Sequence, residues 1–515
     1  MNNNKVIAKN TLYLYMRTAI TMLIALYTSR VILMELGIDD YGIYNVIGGI
    51  VALLSSLSST LSGATQRFIT FALGTKSQDY LKTIFSASVY VHIALALVLL
   101  IIAETVGLWF VNVKMNIAID RVFAANIVFQ SSIFVFIMDI ITLPYNSATI
   151  AYEKFNVYAF IFIYQSVARL LLVSTLGLWD CDRLIIYAAM ELFVGISTKI
   201  SFVFYTKLKL RDCRLGHVDD RSIYRKLFSF IGWNFLGTSS SIVYTQGSNV
   251  LLNLFYGVRL NAAMGVATQV QSAISSFVSN FSMAVNPQIT KTYASGDIER
   301  TKDLMNFGSK IAAFLYLLIA FPVILNLDYI MNVWLVEIPD YTIGFIKIAL
   351  LCSLFASFIS PLNCALFATG KIKNYQIVCI CVNALTFAIL YLSFKFDMHP
   401  NVIYYLVLMQ NILKIGYLLF YLHRFSLINL RQLALIYMKS IIFCIIIVFF
   451  LIIKSNFFSN TNFIAFIRDS FVAIVVMITL IYQIGFTNTE RNALKIMIKN
   501  KIHTLLSGKN SGRLL

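Results

Sequence analysis

Four cations stand inside apolar stretches rather than in the polar gaps between them: Arg17, Arg67, Arg169 and Lys414. A charge in hydrocarbon is expensive, so by default it marks a pathway or an ion pair. Arg17 shares a helical face with Asn10, Thr21 and Thr28, at i−7, i+4 and i+11. Arg169 has Gln165 and Ser166 beside it, and Lys414 has Gln410 and Asn411. Polar stripes of this kind are expected to line a wet cavity, not lipid. Guanidinium groups bind phosphate oxygens two at a time, so a cationic cavity suits a pyrophosphate. Arg30 lies about 220° around an ideal helix from Arg17 and joins the same cavity only if the helix kinks. Lys199, Lys310, Lys347, Lys439 and Arg468 fall near the ends of stretches and read as interfacial anchors.

The acids that could act against these cations are few. Asp139 and Glu191 lie deep, with Glu104 nearer an end. Each is open to two readings, a proton or sodium relay or the partner of an arginine, and pairing is the favoured one. Pro144, Pro287, Pro322 and Pro361 fall within or at the ends of apolar stretches, where each removes a backbone bond and can act as a kink or hinge. The seven cysteines form no C-x-x-C pair and histidine is scarce, so neither a disulfide nor a metal site is expected. No paired-carboxylate or Ser/His/Asp arrangement suggests an enzyme. No cofactor is expected. Coupling to protons, to sodium or to the membrane potential stays open.

The elements that must position these residues follow from composition. The chain has 515 residues, 59% hydrophobic and 12% charged, too little polar surface for a soluble domain. Apolar runs of spanning length recur along it. The expected spans are 11–33, 42–72, 83–109, 121–145, 156–179, 184–206, 228–255, 260–289, 305–327, 342–368, 375–394, 401–422, 435–453 and 464–486. That is an all-α membrane protein of about fourteen helices. The first helix is expected to be retained, because no cleavage site follows it. The net charge of +18 sits in short gaps between spans, so it reads as topology information rather than a nucleic-acid surface. Alternate gaps hold Lys76, Lys82, Lys154, Lys291, Arg300, Lys371 and Lys373, with the densest cluster from Lys207 to Lys226. Both termini are therefore expected in the cytoplasm. A basic amphipathic surface helix is expected over 488–506.

The halves of the chain resemble each other. Pro144 to Lys154 lies over Pro361 to Lys371, with Pro, Asn, Ala, Ala and Lys coinciding. Ser29 to Leu33 lies over Ser248 to Leu252, and Gln66 to Thr70 over Asn286 to Thr290. An offset of six helices predicts two parallel lobes related by an axis along the membrane normal. The expected division is an N-lobe (1–206), a basic loop (207–227), a C-lobe (228–422), two further helices (423–486) and a basic tail (487–515).

The loop Leu36-Gly37-Ile38-Asp39-Asp40-Tyr41-Gly42-Ile43-Tyr44 after Tyr27-Thr28-Ser29-Arg30, then Thr65-Gln66-Arg67-Phe68, Pro144 to Lys154, Gln246-Gly247 with Asn261-Ala262-Ala263, and Asn286-Pro287-Gln288-Ile289 together resemble the polysaccharide-biosynthesis flippases often called Wzx. Those share a superfamily with multidrug-and-toxin extruders and lipid II flippases. The resemblance covers about the first twelve helices. It implies alternating access by two lobes and a substrate of oligosaccharide linked by pyrophosphate to a polyprenol, for O-antigen, capsule or exopolysaccharide assembly. It also implies residence in the bacterial inner membrane. The expected partners are the lipid-linked oligosaccharide and the bilayer, with a polysaccharide polymerase as a neighbour and the chain itself a monomer. The substrate-binding set expected from the residues is Arg17, Arg67, Arg169, Lys414 and Arg30. Alternatives are a lipid II flippase, a cation-coupled multidrug exporter of the same fold and, further off, a membrane-embedded glycan polymerase or ligase. The exporter would be expected to use carboxylates in its lobes, and the polymerase to carry a sizeable outward loop.

Overall fold

A computed structural model of the chain describes residues 2–75, 77–115, 117–210, 212–216, 218, 221–335, 338–428, 462–486, 488 and 490–492. The expected span 435–453 and nearly all of the basic tail lie outside them. The described residues are helical, with no strand. Ten of the helices are long and apolar enough to cross a membrane, and large side chains on their outer faces, such as Phe160 and Phe204 at 72% and 64% exposure, are largely uncovered by protein. In water such faces would drive aggregation; in lipid they are at home. The protein is a multi-pass membrane protein.

The helices are α1 (Asn2–Gly74), α2 (Gln78–Ile102), α3 (Val122–Ala151), α4 (Phe155–Ser174), α5 (Arg183–Lys209), α6 (Arg221–Tyr256), α7 (Val258–Ala294), α8 (Ile298–Leu325), the short α9 (Leu327–Trp334), α10 (Thr342–Thr369), α11 (Lys373–Lys395), α12 (Val402–Arg424) and α13 (Phe463–Leu480). Gly37 breaks α1 into two arms. The arms fold back on each other: Tyr15 packs on Phe277, while a Cβ on Gly74 would lie 2.5 Å from that of Ala294, so both ends of α1 meet the second half of α7. A straight helix of that length would instead stretch roughly 110 Å. With two arms counted, six long helices precede residue 220 and six follow it up to Arg424. Only α9 was unforeseen.

The first six pack mainly among themselves, α3 lying against α1, α2 and α5, and α4 against α1 and α5. The second six do likewise, with α10 against α7, α8 and α12, and α11 against α6 and α12. The seam between the groups runs chiefly along α1 and α7. The repeat leaves its mark on the backbone. Gly37 (φ 75°, ψ 177°) and Gly257 (φ 82°, ψ −178°) break the chain in the same way 220 residues apart. That region of backbone space is open in practice to glycine alone. Glu153 (φ 58°) and Gly370 (φ 75°), 217 residues apart, end α3 and α10 with the same left-handed turn. Pro144, Pro287, Pro322 and Pro361 all lie inside continuous helices.

Three long helices fall outside the ten apolar ones: the second arm of α1, α6 and α7. They are rich in Ser, Asn, Gln and Gly, and they supply much of the lining of the recesses described below.

Candidate functional site

Helix ends carrying Lys82, Lys154, Lys291 and Lys371 lie on one side of the bundle, here called the basic face. Two recesses open in that half, and Arg67, near the end of α1, borders both. The inner one, about 420 Å³, is walled by α1, α7 and α10, with Gln66, Thr70, Asn286, Ser360 and Asn363 as its polar lining. Thr70 Oγ1 and Asn286 Oδ1 are buried there without a protein hydrogen-bond partner. Buried polar atoms in a native structure are nearly always satisfied, so water or a ligand is expected to meet these two. The outer recess, about 570 Å³, opens on the basic face between the ends of α1, α6 and α10.

Arg67 closes the passage between the two. Its Nε and Nη2 donate to the carbonyls of Phe367 and Ala368 on α10, both at 2.9 Å. The guanidinium lies over Phe68, Phe71 and Phe230 at 4.6, 5.0 and 5.3 Å. It faces carbonyls and rings, and no carboxylate. A second cross-link mirrors this one. Glu153, in the turn after α3, accepts from Gln288 Nε2 and Lys291 Nζ of α7, each at 2.5 Å. The internal repeat relates the two: Arg67 aligns with Pro287, the residue before Gln288, and Glu153 aligns with Gly370, against which Arg67 packs. The first group thus sends Arg67, near the end of its second long helix, to the end of α10 and the α10–α11 turn, and the second group sends Gln288 and Lys291, near the end of its own second long helix, to the α3–α4 turn.

A third link lies deeper. Arg17 Nη2 donates to Asn280 Oδ1 at 3.3 Å, and Asn280 Nδ2 donates to Thr18 Oγ1 at 2.8 Å. The Arg17 guanidinium sits over the rings of Tyr158 and Phe162, at 5.2 and 5.4 Å. Among the described residues, the hydrogen bonds that join the two groups of six helices are these, all in the half toward the basic face. At the other end the ionic contacts stay within the first group. Arg121 joins Asp40 and Asp182, and Arg183 meets Glu35 at 3.4 Å. The buried apolar residues divide in this way only within the first group. Ile32, Leu36, Phe129 and Tyr187 belong to a separate cluster inside it, whereas the cluster that joins both groups reaches both ends of the second, from Ile289 and Leu366 to Met331 and Phe394.

The expected cationic set is therefore split. Arg67 lines the recesses and Arg17 the seam. Arg169 pairs with Glu191, with Nη2–Oε2 at 2.7 Å, and also reaches Tyr44. Lys414 points into the second group, donating to Asn383 Oδ1 at 2.7 Å and Gln410 Oε1 at 3.3 Å. Neither lines either recess. Arg30 is exposed on the first arm of α1. The reason is local: acids and amides one helix away outcompete a cavity several helices off. Of the acids, Glu191 holds the expected arginine, but Asp139 holds Lys199. Lys199 and Lys310 are not anchors, since Lys310 is buried and pairs with Glu490. Glu153, Gln288, Lys291 and Asn280 carried no weight as site residues in the sequence. The repeat held the signal, because it sets Glu153 opposite a glycine and so marks a left-handed turn.

Comparison with known proteins adds to this geometry. Residues 237–392 match the MatE family model. No curated protein matches the chain. Among solved structures, a MATE crystallised in the bent conformation is similar at 12% identity and TM-score 0.72, covering 83% of this chain and 96% of its own. An outward-facing multidrug resistance MATE family transporter of the MOP superfamily gives 13% identity and TM-score 0.70, with 82% and 96% covered. A MOP superfamily transporter from Pyrococcus furiosus, described as having a binding pocket of reverse polarity, gives 13% and 0.69, with the same coverage. The chain has the MATE-like fold.

Proposed function

We propose that this protein is a flippase, moving an oligosaccharide linked by pyrophosphate to a polyprenol from the cytoplasmic to the outer leaflet of a bacterial inner membrane. The observation that carries the reading is the charge of the seam. Arg67 and Arg17 stand at the seam between the helix groups with no carboxylate partner among the described residues, held by carbonyls, an amide and aromatic rings. The deep acids that a cation exporter would use, Asp139 and Glu191, are already neutralised by Lys199 and Arg169. A cationic path lowers the energy of a pyrophosphate and raises that of a cationic drug.

The mechanism is alternating access between the two groups of six helices, with the basic face cytoplasmic. The cross-links of Arg67 and Glu153 hold that face shut. Opening the inner recess toward it requires Arg67 to leave Phe367 and Ala368, and Lys291 to leave Glu153. A phosphate oxygen is a stronger acceptor for a guanidinium than a neutral carbonyl, so the substrate itself favours that exchange. Lipid II flippases share the expected fold and charge preference, and the saccharide that accumulates separates them. Deleting the gene should trap a lipid-linked saccharide in the cytoplasmic leaflet. Restoring the wild-type gene should clear it, Arg67→Gln should not, and Arg67→Lys should clear it only in part. Clearance by Arg67→Gln at normal protein abundance would sink the reading.

A further inference from the structure

Among the described residues, the outer recess is lined by cations and by no acid. Arg225 and Lys226, on the first turns of α6, face Lys371 and Lys373, which flank the α10–α11 turn, with Arg67 at the back. None of the five makes an ion pair among the described residues. Like charges converging on one recess repel, and a bound anion relieves the repulsion. Arg225, Lys226, Lys371 and Lys373 are exposed at the recess, and two of them are held in place. Lys373 is held over Trp233 at 5.2 Å and Lys371 over Phe425 at 5.3 Å, so rings fix the ammonium groups without neutralising them. Ser222, Arg225, Lys226 and Ser229 follow i, i+3, i+4, i+7 spacing and so present one face of α6 to the space. The α6 and α11 N-termini both open there, adding backbone dipoles of the same sign.

We infer that this recess is a binding site for a phosphate or pyrophosphate group, with Arg225, Lys226, Lys371 and Lys373 as its ligands and Arg67 at its inner wall. Its volume of about 570 Å³ is that of a small-molecule pocket, larger than the anion alone requires. The rest can hold whatever the phosphate is attached to, a prenyl chain, a sugar or a bilayer lipid. The inference concerns phosphate chemistry and does not rest on the export reading.

The test uses the full chain in nanodiscs, with Trp109, Trp179 and Trp334 changed to Phe so that fluorescence reports Trp233. In zwitterionic lipid, inorganic pyrophosphate or a short prenyl pyrophosphate should change the signal saturably, and more weakly as salt rises. Lys371→Gln/Lys373→Gln should weaken binding at least about tenfold, as expected for two lost charge-assisted contacts. The exposed pair Lys207→Gln/Lys209→Gln on the same face should leave it unchanged. Tighter binding of the prenyl compound than of inorganic pyrophosphate identifies a lipid-linked phosphate as the occupant. A signal already saturated in phosphatidylglycerol nanodiscs, and lost in the Lys371/Lys373 variant, identifies a bilayer headgroup in the same site. No saturable signal with any probe, or equal affinity in that variant at an unchanged melting temperature, overturns the inference. Binding that persists in a chain exporting no glycan would leave this site standing and remove the flippase reading.

Discussion

The Glu153 cross-link should set how often the basic face opens, and Glu153→Gln isolates its charge. Lys291 Nζ lies 2.5 Å from Glu153 Oε1, with the two side chains 27% and 11% exposed. At an effective dielectric near 20 the Coulomb gain is about 6 to 7 kcal/mol before desolvation is subtracted. Fully exposed pairs net about 0 to 1 kcal/mol, and breaking a fully buried one costs about 3 to 5. This half-buried pair should therefore contribute roughly 2 kcal/mol, or about 30-fold in the opening equilibrium. Cys364 is a natural reporter, since it lines the inner recess behind Arg67. With the other six cysteines changed to Ala, its alkylation from the basic face of inside-out vesicles should proceed roughly 10 to 30 times faster in Glu153→Gln. The exchange Glu153→Lys/Lys291→Glu should restore the slow rate. An unchanged rate in Glu153→Gln, or no recovery in the exchange, would refute the assignment of this pair to closure.

Three further outcomes follow from the geometry. Cys181 is exposed and Cys213 is buried, with burial pushing the Cys213 thiol up to about 12. The protonated thiol should resist maleimide from both sides at neutral pH, so an impermeant reagent on intact cells should label Cys181 and spare both Cys213 and a probe at exposed Leu215 (Leu215→Cys). Labelling of that probe in intact cells would reverse the orientation. Gly37→Ala and Gly257→Ala should each lower the melting temperature, because a Cβ meets nothing within 4 Å at either site and the cost is conformational, about 1 to 2 kcal/mol. A neutral effect at one but not the other would break the equivalence of the two turns. Arg169→Met should reduce folded abundance by leaving Glu191 unpaired, and Arg169→Met/Glu191→Leu should recover it; loss that persists in the double variant would show a role for Arg169 beyond the pair.

Periodicity and charge placement determined the helices. Span lengths, the alternation of Lys and Arg, and the recurrence of Pro144 to Lys154 as Pro361 to Lys371 are local properties, readable without knowing what packs on what. The bilayer leaves an apolar run of twenty residues almost no choice but helix. The repeat also sets Glu153 over Gly370 and Arg67 over Pro287, beside Gln288. What a cation does once inside the bundle depends on which helix becomes its neighbour, and only the tertiary structure decided that. Arg169 and Arg67 look alike in the chain, each a lone arginine in an apolar run. One meets Glu191 across a helix pair and is neutralised; the other meets two carbonyls and three rings and keeps its charge. Lys371 and Lys373 looked like topology markers until the α10–α11 turn brought them opposite Arg225 and Lys226. Electrostatic energy falls off over a few ångströms in this setting, while Arg67, the Arg225–Lys226 pair and the Lys371–Lys373 pair lie about 150 to 300 positions from one another in sequence, and no local pattern records that distance.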